Sequence, residues 1–170
     1  MIRSALLLLL LAACPLPPTG EPPPSHGPVA RTLRAAAGGA EIPSDLSVTY
    51  SDMHGMWGGT TISVSANGTY EWQSFSPQEG LDKVEGRVAE AQLRDLIGLL
   101  VELRAWEQVT PPRQPVPDES RSRLRIRAGG VEVLTWEWYN DMRANGRLIR
   151  IRERMSELRS TLQPGGGQRP

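Results

Sequence analysis

The sequence has little of several residue types on which small exported or metal-binding domains depend. Its 170 residues include one cysteine, one lysine, one phenylalanine and two histidines. A single cysteine excludes an intramolecular disulfide and the cysteine-rich zinc motifs, so an apolar core must stabilise the fold. The longest apolar run, Ala5 to Ala13, is too short to span a bilayer core of roughly 30 Å as a helix.

Positive charge is carried almost entirely by arginine. Lysine and arginine together number 19 and balance 19 acidic residues, so the formal net charge is zero and does not predict a nucleic-acid partner. Eighteen of the 19 basic residues are arginine, and Lys83 is the exception. Such a bias is common where the coding DNA is rich in G and C, so arginine clusters here are weaker evidence of a binding site than elsewhere.

The first residues, "MIRSALLLLLLAAC", have the three parts of a secretory signal. Arg3 supplies the positive region, and the apolar run that follows ends in small residues. The segment "LAAC", ending at Cys14, resembles the bacterial lipobox, in which the chain is cut just before the cysteine and its sulfur is lipidated. We therefore predict a lipoprotein signal peptide at 1–13 and lipidation of Cys14, with palmitate among the acyl chains.

The lipobox resemblance implies a location in the cell envelope. Each buried methylene contributes about 0.8 kcal/mol, and two or more acyl chains anchor a protein stably. Pro15 follows the cysteine, where an aspartate usually signals retention at the inner membrane. We expect an exported protein anchored in the outer membrane and facing the periplasm, with the lipid on Cys14 and no other cofactor.

Composition divides the remainder into a tether, one domain and a tail. Prolines, glycines and alanines dominate 14–43, which predicts a disordered or partly extended tether. Residues 44–162 have the usual size of one domain. The end of the chain, 163–170, reads "QPGGGQRP" and is predicted to be a disordered tail.

The first part of the domain is predicted to consist of strands. "LSVTY" alternates as a strand does, and "TTISVSANGTYEW" is a hairpin. A two-residue Asn67-Gly68 turn would pair Val64 with Glu71. A three-residue loop that begins at Ala66 pairs Val64 with Tyr70 and Ile62 with Trp72. We favour the three-residue loop, because it collects four apolar residues on one face.

Two helices and a short strand complete the predicted fold. "LDKVEGRV" is a short strand, and "AEAQLRDLIGLLVELRAW" has leucines and an isoleucine at helical spacing. A second amphipathic helix is predicted from Asn145 to Leu162. The fold class is therefore α+β: an antiparallel sheet of about four to five strands, including two hairpins, with two helices packed on one face.

The second hairpin, "RSRLRIRAGGVEVLTWEW", has two possible registers. A two-residue Gly129-Gly130 turn would pair Arg123 with Trp136 and make a mixed arginine–tryptophan face. A three-residue loop that begins at Ala128 would pair Leu124 with Leu134 and bury Trp136. We favour the second register, since cross-strand pairs contribute only about 0.2–1 kcal/mol each and the burial pattern decides. In either register the predicted contact face consists of Arg121, Arg123, Arg125 and Arg127.

The order of elements and the lipobox resemble a group of small bacterial lipoproteins that carry a domain of unknown function. The resemblance rests on "ISVSANGTYEW", "GRVAEAQLRDLIGLL", Trp106, Asp118 and "LRIRAGGVEV", and it covers most of 44–158. Relatives often have two cysteines in the loop before the first hairpin, whereas "SDMHGMWGG" has none. The resemblance implies no established activity, and no catalytic residue is carried over.

No catalytic constellation is evident, so we predict that the protein is not an enzyme. Nucleophilic catalysis needs a nucleophile beside a base, and the domain has no cysteine and one histidine, His54. A weaker alternative is a hydrolase of envelope polymers that works through paired carboxylates. Its candidate residues are Glu79, Asp82, Glu85, Asp118 and Glu119.

A second alternative is copper binding in the loop before the first hairpin. Met53, His54 and Met56 carry thioether and imidazole groups, which suit copper and especially its reduced ion. The three donors lie within four residues, so the backbone must let them converge. The other interpretation is that Met56 and Trp57 pack on the core and His54 is exposed.

The leading functional hypothesis is a lipid-anchored, non-enzymatic binding or scaffold module of the envelope. Its predicted contact surfaces are the four arginines of the second hairpin and the loop 52–59. Apart from the membrane that holds the anchor, the expected partner is an envelope protein, a cell-wall polymer or lipopolysaccharide. Nucleic acid is not expected outside the cytoplasm, and the oligomeric state is left open.

Overall fold

The computed structural model describes residues 26–162 except 55, 111, 115 and 143–145. The predicted signal peptide, Cys14 and the predicted tail lie outside the described residues. The helices are α1 (Gly27–Ala37), α2 (Glu90–Glu102) and α3 (Gly146–Glu157), with 3-10 turns at Ala105–Glu107 and Leu158–Thr161. The strands are β1 (Ser47–Ser51), β2 (Gly59–Ser65), β3 (Thr69–Ser76), β4 (Gly80–Arg87), β5 (Arg121–Ala128) and β6 (Val131–Trp138).

The strands form one antiparallel sheet in the order β4-β3-β2-β1-β5-β6. The predicted α+β class is confirmed, with six strands instead of four to five and, in the described part of the chain, three helices instead of two. The chain returns from β4 through α2 and a proline-rich loop to place β5 beside β1. None of the described helices is both long and apolar enough to span a membrane.

The two faces of the sheet differ in composition because side chains alternate along each strand. One face, here called the inner face, carries fully buried residues such as Val48, Tyr50, Ile62, Leu124 and Ile126. The apolar sides of the helices pack against it and complete a single core. The outer face carries serines and threonines in the central strands and arginines in β5.

The register of the first hairpin is confirmed. Val64 pairs with Tyr70 and Ile62 pairs with Trp72. Gly68 has a φ of 79°, the left-handed conformation that the three-residue loop requires. A Cβ at this position would lie 2.6 Å from the carbonyl oxygen of Val88, so the turn also needs glycine for close approach.

The favoured register of the second hairpin is wrong. β5 and β6 are joined by the two-residue Gly129-Gly130 turn, with Arg123 opposite Trp136 and Arg121 opposite Trp138. Both glycines have positive φ, as the tightest hairpin turns require. The carboxylate of Asp45 accepts hydrogen bonds from both glycine N–H groups at 3.0 and 2.7 Å, and these bonds lower the pKa of Asp45.

This register turns polar side chains of β6 into the core and apolar ones outward. Val133, Thr135 and Glu137 are buried, whereas the side chain of Leu134 is 51% exposed. The interior accepts Glu137 because Gln108, which follows the first 3-10 turn, donates a hydrogen bond to its carboxylate. The favoured register was chosen by the number of apolar residues it buries, and that number does not depend on Gln108, which lies 29 residues from Glu137 in the sequence.

The predicted tether is also wrong in part, because α1 lies within 14–43. Val29, Leu33 and Ala36 are fully buried in the core, and their spacing gives α1 one apolar side. The alanines of α1 contribute little hydrophobicity, which favoured the prediction of a tether, but alanine is the residue that most favours a helix. The guanidinium of Arg94 donates to the carbonyl oxygens of Ala36 and Ala40 at 2.9 and 3.0 Å, which satisfies the helix end.

Candidate functional site

Two surfaces carry the groups that could bind a ligand. The first, here called the arginine face, is the outer side of β5 and β6. It comprises Arg121, Arg123, Arg125, Arg127, Leu134 and Trp136. All four arginines are exposed, and the two-residue turn places the apolar residues of β6 beside them. The structure therefore has the register of the two-residue Gly129-Gly130 turn, in which arginine and tryptophan share one face.

Stacking on aromatic rings holds one arginine of this face in place. The guanidinium carbon of Arg121 lies 4.5 Å from the ring centre of Trp136 and 4.8 Å from that of Trp138. The two indoles meet edge to face with their centres 5.3 Å apart. A cation over an indole face gains about 0.5–1 kcal/mol at an exposed site, so Arg121 is oriented before any ligand arrives.

The positive charge of the face is only partly compensated. Arg125 Nε lies 3.2 Å from Glu132 Oε1, but both side chains are about half exposed, and such surface pairs contribute about 0–1 kcal/mol. Within the described part of the chain, Arg123 forms no ion pair. Across the sheet, Arg123 lies beside Ser51 and Arg125 beside Thr49, so hydroxyl groups border the charged strip.

The second surface, here called the end cleft, is a cavity of about 550 Å³ at one end of the sheet. Five parts of the chain meet there: the loop after β1 with the start of β2, the middle of β3, the loop before β5, the turn after β6 and the second half of α3. It is lined by Asp52, His54, residues 57–60, Trp72, residues 116–120, Tyr139, Asn140, Arg152 and Ser156. A cavity of this size lies within the range of about 300–1,000 Å³ of small-ligand sites.

Below the end cleft lies a buried tyrosine. The hydroxyl of Tyr50 is 3.2 Å from Asp52 Oδ2, 3.3 Å from Ser122 Oγ and 3.3 Å from Met142 Sδ. Burial, and next the charge of Asp52, raise the pKa of Tyr50, so it stays a neutral phenol. Asp52 Oδ1 accepts the N–H of Thr60 at 2.7 Å, and Asp52 Oδ2 lies 3.8 Å from Arg152 Nη1.

His54 shapes the loop that forms one wall of the cleft. Its Nδ1 accepts the backbone N–H groups of Met56 and Trp57 at 3.1 and 3.2 Å. Its own backbone pairs with that of Gly58 in both directions. Gly58 has a φ of 81°, and a Cβ there would clash with the carbonyl oxygen of Phe75. The loop is thus closed tightly against the end of β3.

The same hydrogen bonds bear on the copper hypothesis. The Nδ1 lone pair of His54 is engaged by the turn, which leaves Nε2 as the nitrogen a metal could reach. Met53 is 41% exposed, Met56 58% and Trp57 67%, so the expectation that Met56 and Trp57 pack on the core is wrong. In the part of the chain that the structure describes, no group of three or more histidine, cysteine or carboxylate residues could hold a metal ion. Copper binding by Met53, His54 and Met56 stays a prediction.

The candidate carboxylates of the hydrolase hypothesis fall into two places. Asp82 and Glu85 lie on β4, where their ion-pair partners are Arg159 and Lys83, and Glu79 is in the turn that precedes β4. The other two, Asp118 and Glu119, line the end cleft together with Asp52.

Arg113 holds the cleft loop in position. Its Nη2 lies 2.7 Å from both carboxylate oxygens of Glu119, and its Nε lies 2.6 Å from Asp141 Oδ2. Burial acts to raise the pKa of Glu119, but the hydrogen bonds from Arg113 and from the N–H of Asn140 outweigh it and lower this pKa. Glu119 therefore stays charged and connects three segments of the chain.

The sequence indicates the loop 52–59 and, for the separate hydrolase hypothesis, Asp118 and Glu119, but it does not indicate Tyr139 or Arg152 or that these groups meet in one cleft. Glu119, Tyr139 and Arg152 come from separate parts of the chain, and no local pattern connects them with Asp52. No protein-family model matches the chain, and no curated protein matches its sequence. The resemblance to small bacterial lipoproteins, like the lipidation of Cys14, stays a prediction.

Proposed function

We propose that this chain is a lipid-anchored envelope protein that binds an anionic glycan of the envelope through its arginine face. The observation that carries this proposal is the pairing of Arg123 with Trp136. It places an exposed row of four arginines and an indole side by side on a sheet face that no described helix covers.

Charge complementarity selects the partner. Over β5 and β6 the outer face carries four arginines, and the one acidic side chain among their exposed neighbours on β6 is Glu132. Guanidinium groups bind phosphate and carboxylate groups with two parallel hydrogen bonds. Arg121 is held by stacking, Arg123 forms no ion pair with another described residue, and Arg127 interacts electrostatically with the carboxylate of Asp45. Phosphate groups on an extended polymer suit such a row.

The indole and the neighbouring hydroxyls favour a glycan over a simple polyanion. Trp136 and Leu134 offer apolar contact between the charged groups, and the serines and threonines of β1 and β2 can hydrogen-bond to sugar hydroxyls. Phosphorylated glycans occur in the envelope, where the lipobox resemblance places the protein. Lipopolysaccharide core and teichoic acid share this chemistry.

The test is the binding of soluble phosphorylated glycans to the anchored protein in phosphatidylcholine nanodiscs. We expect the phosphorylated core oligosaccharide of lipopolysaccharide to bind, and its dephosphorylated form to bind at least about tenfold more weakly. Soluble teichoic acid serves as a second ligand that identifies the source of the phosphate. Affinity should fall as salt rises, because exposed charges are screened.

Matched variants locate the surface. Arg123→Ser/Arg125→Ser should weaken binding at least about tenfold. Arg31→Ser/Arg150→Ser removes the same charge from exposed positions on α1 and α3 and should leave the affinity unchanged. Equal binding of both double variants, or of phosphorylated and dephosphorylated glycan, would contradict the proposal.

A further inference from the structure

The end cleft adjoins the arginine face at Ser120, which precedes Arg121, but none of the residues that define that face lines the cleft. It combines exposed aromatic rings, polar side chains and a floor whose charges are already paired. We infer that the end cleft binds a short, uncharged saccharide. This inference does not depend on the proposed binding of anionic glycans by the arginine face.

The charges of the cleft indicate an uncharged ligand. Asp52 is engaged by the N–H of Thr60, by the hydroxyl of Tyr50 and by the nearby guanidinium of Arg152. Glu119 is engaged on both oxygens by Arg113. Asp52 and Glu119 are thus neutralised by protein groups, whereas the exposed carboxylate of Asp118 lies at the rim of the cleft and disfavours an anionic ligand. A ligand with a full charge would have to displace one of these partners.

Aromatic side chains reach the cleft from three directions. Trp57 in the loop after β1 is 67% exposed, and Tyr139 after β6 is 40% exposed. Trp72 of β3 completes the lining, and its ring carries the guanidinium of Arg159 at 4.0 Å. Exposed rings beside a cavity favour a ligand with an apolar surface. The C–H faces of pyranose rings provide such a surface.

Polar side chains line the cleft together with these aromatic rings. Ser120, Asn140 and Ser156 line the cleft, as does Asp118, and Arg152 presents a guanidinium that is about one-third exposed. These groups include both donors and acceptors of hydrogen bonds. A saccharide offers hydroxyl groups at its rim and C–H groups on its faces, and it carries no net charge. That combination matches the cleft better than a lipid, whose acyl chains offer no hydroxyl groups to the polar lining, or a free phosphate, which offers no apolar surface.

The backbone of the loop that carries Trp57 is held by hydrogen bonds and by a close approach to β3. His54 Nδ1 accepts two backbone N–H groups of the loop, and Gly58 closes against the carbonyl oxygen of Phe75. A loop whose backbone is already hydrogen-bonded loses little conformational freedom when a ligand binds. We therefore assign the largest share of the binding energy to contact with Trp57.

The experiment titrates the full chain in nanodiscs with three uncharged disaccharides: N,N′-diacetylchitobiose, cellobiose and maltose. Calorimetry and saturation-transfer NMR measure binding, and inorganic phosphate is the charged comparison. We expect at least one disaccharide to bind with a Kd near or below about 1 mM. Failure of all three to bind at about 10 mM, or tighter binding of phosphate, would overturn the inference.

Two tryptophan variants separate the end cleft from the arginine face. Trp57→Ala should raise the Kd for the disaccharide at least about tenfold. Trp136→Ala removes an indole from the arginine face and should leave that Kd unchanged. Because Trp57 is exposed, its loss should not unfold the domain, and melting curves check this. Undiminished binding by Trp57→Ala would refute the assignment of the site.

The two functions can fail separately. Arg123→Ser/Arg125→Ser should retain the affinity for the disaccharide and lose that for phosphorylated glycan. Trp57→Ala should show the opposite pattern. A disaccharide whose binding depends on Arg123 and Arg125, and not on Trp57, would contradict the cleft inference alone.

Discussion

Arg113 shows how a single side chain can fix the geometry of a loop that its sequence leaves undefined. The surrounding "TPPRQPVPDES" is rich in proline and has no periodicity. The guanidinium nevertheless bonds to Glu119 and Asp141 and lies 5.0 Å from the ring centre of Trp138. One residue therefore connects the end cleft with the aromatic pair that orients Arg121.

The charge of Glu119 gives a prediction about acid stability. Its pKa is lowered in the folded protein from an ordinary value of 4.5. Above about pH 4.5 the carboxylate is charged in both states, and its pairing with Arg113 contributes to stability in full. As the pH falls below 4.5, the unfolded chain binds the proton first, so this contribution is lost.

Urea unfolding of wild type and Glu119→Gln at several values between about pH 7 and pH 3 measures the effect. The stability advantage of the wild type should shrink below about pH 4.5. In an Arg113→Met background the same substitution should lose this pH dependence. An advantage that stays constant down to pH 3 would count against the pairing of Glu119 with Arg113.

At the scale of whole elements, α1 changes the extent of the domain. It packs on α2 and on the inner side of β5 and β6, and Thr32 lies against the Gly129-Gly130 turn. The segment predicted to be a tether thus packs against the inner side of the second hairpin, opposite the arginine face. Its helix and the Asp45 carboxylate together hold that hairpin in the two-residue register.

Leu33 tests whether α1 belongs to the fold. Leu33 is fully buried, so Leu33→Ala should lower the free energy of unfolding by about 2–5 kcal/mol. Arg31→Ala, at an exposed position of the same helix, should change it by less than about 0.5 kcal/mol. Chemical denaturation measures both. A tether would tolerate either change, so equal stability of the two variants would show that α1 does not pack on the core.

The elements that were predicted correctly are those whose signals are local. The "ANG" turn and the alternating residues beside it identify the first hairpin, and leucines at helical spacing identify α2. The two wrong predictions, the register of the second hairpin and the extent of the tether, depend on contacts between residues far apart in the sequence. Glu137 can face inward because Gln108 lies beside it, and α1 is stable because the core accepts Val29 and Leu33. The end cleft was only partly predictable, because Arg152 and Asp52 meet only after the sheet and α3 have formed.

At the scale of the whole molecule, the proposed glycan binding involves both the arginines of the arginine face and the predicted lipid anchor. The formal net charge is zero, so the proposed attraction to an anionic envelope polymer would depend on the local strip of arginines and not on the total charge. The start of α1 at Gly27 leaves 15–26 between the predicted lipid anchor and the domain. A chain of that length reaches at most about 40 Å, so the predicted lipid anchor would keep both surfaces near the membrane.

The last prediction concerns the anchor itself. Cys14 is the only cysteine, so Cys14→Ser removes the predicted lipidation site without affecting any disulfide. We expect the wild type to stay with the membrane fraction in an alkaline wash and to be labelled by a palmitate analogue. The variant should be unlabelled and should accumulate as the uncleaved or the soluble form, because acyl chains provide the free energy of anchoring. Retention of Cys14→Ser in the membrane fraction, at the same mass as the wild type, would refute the lipobox interpretation. The short reach of the chain between Cys14 and α1 would then place no limit on where the arginine face acts.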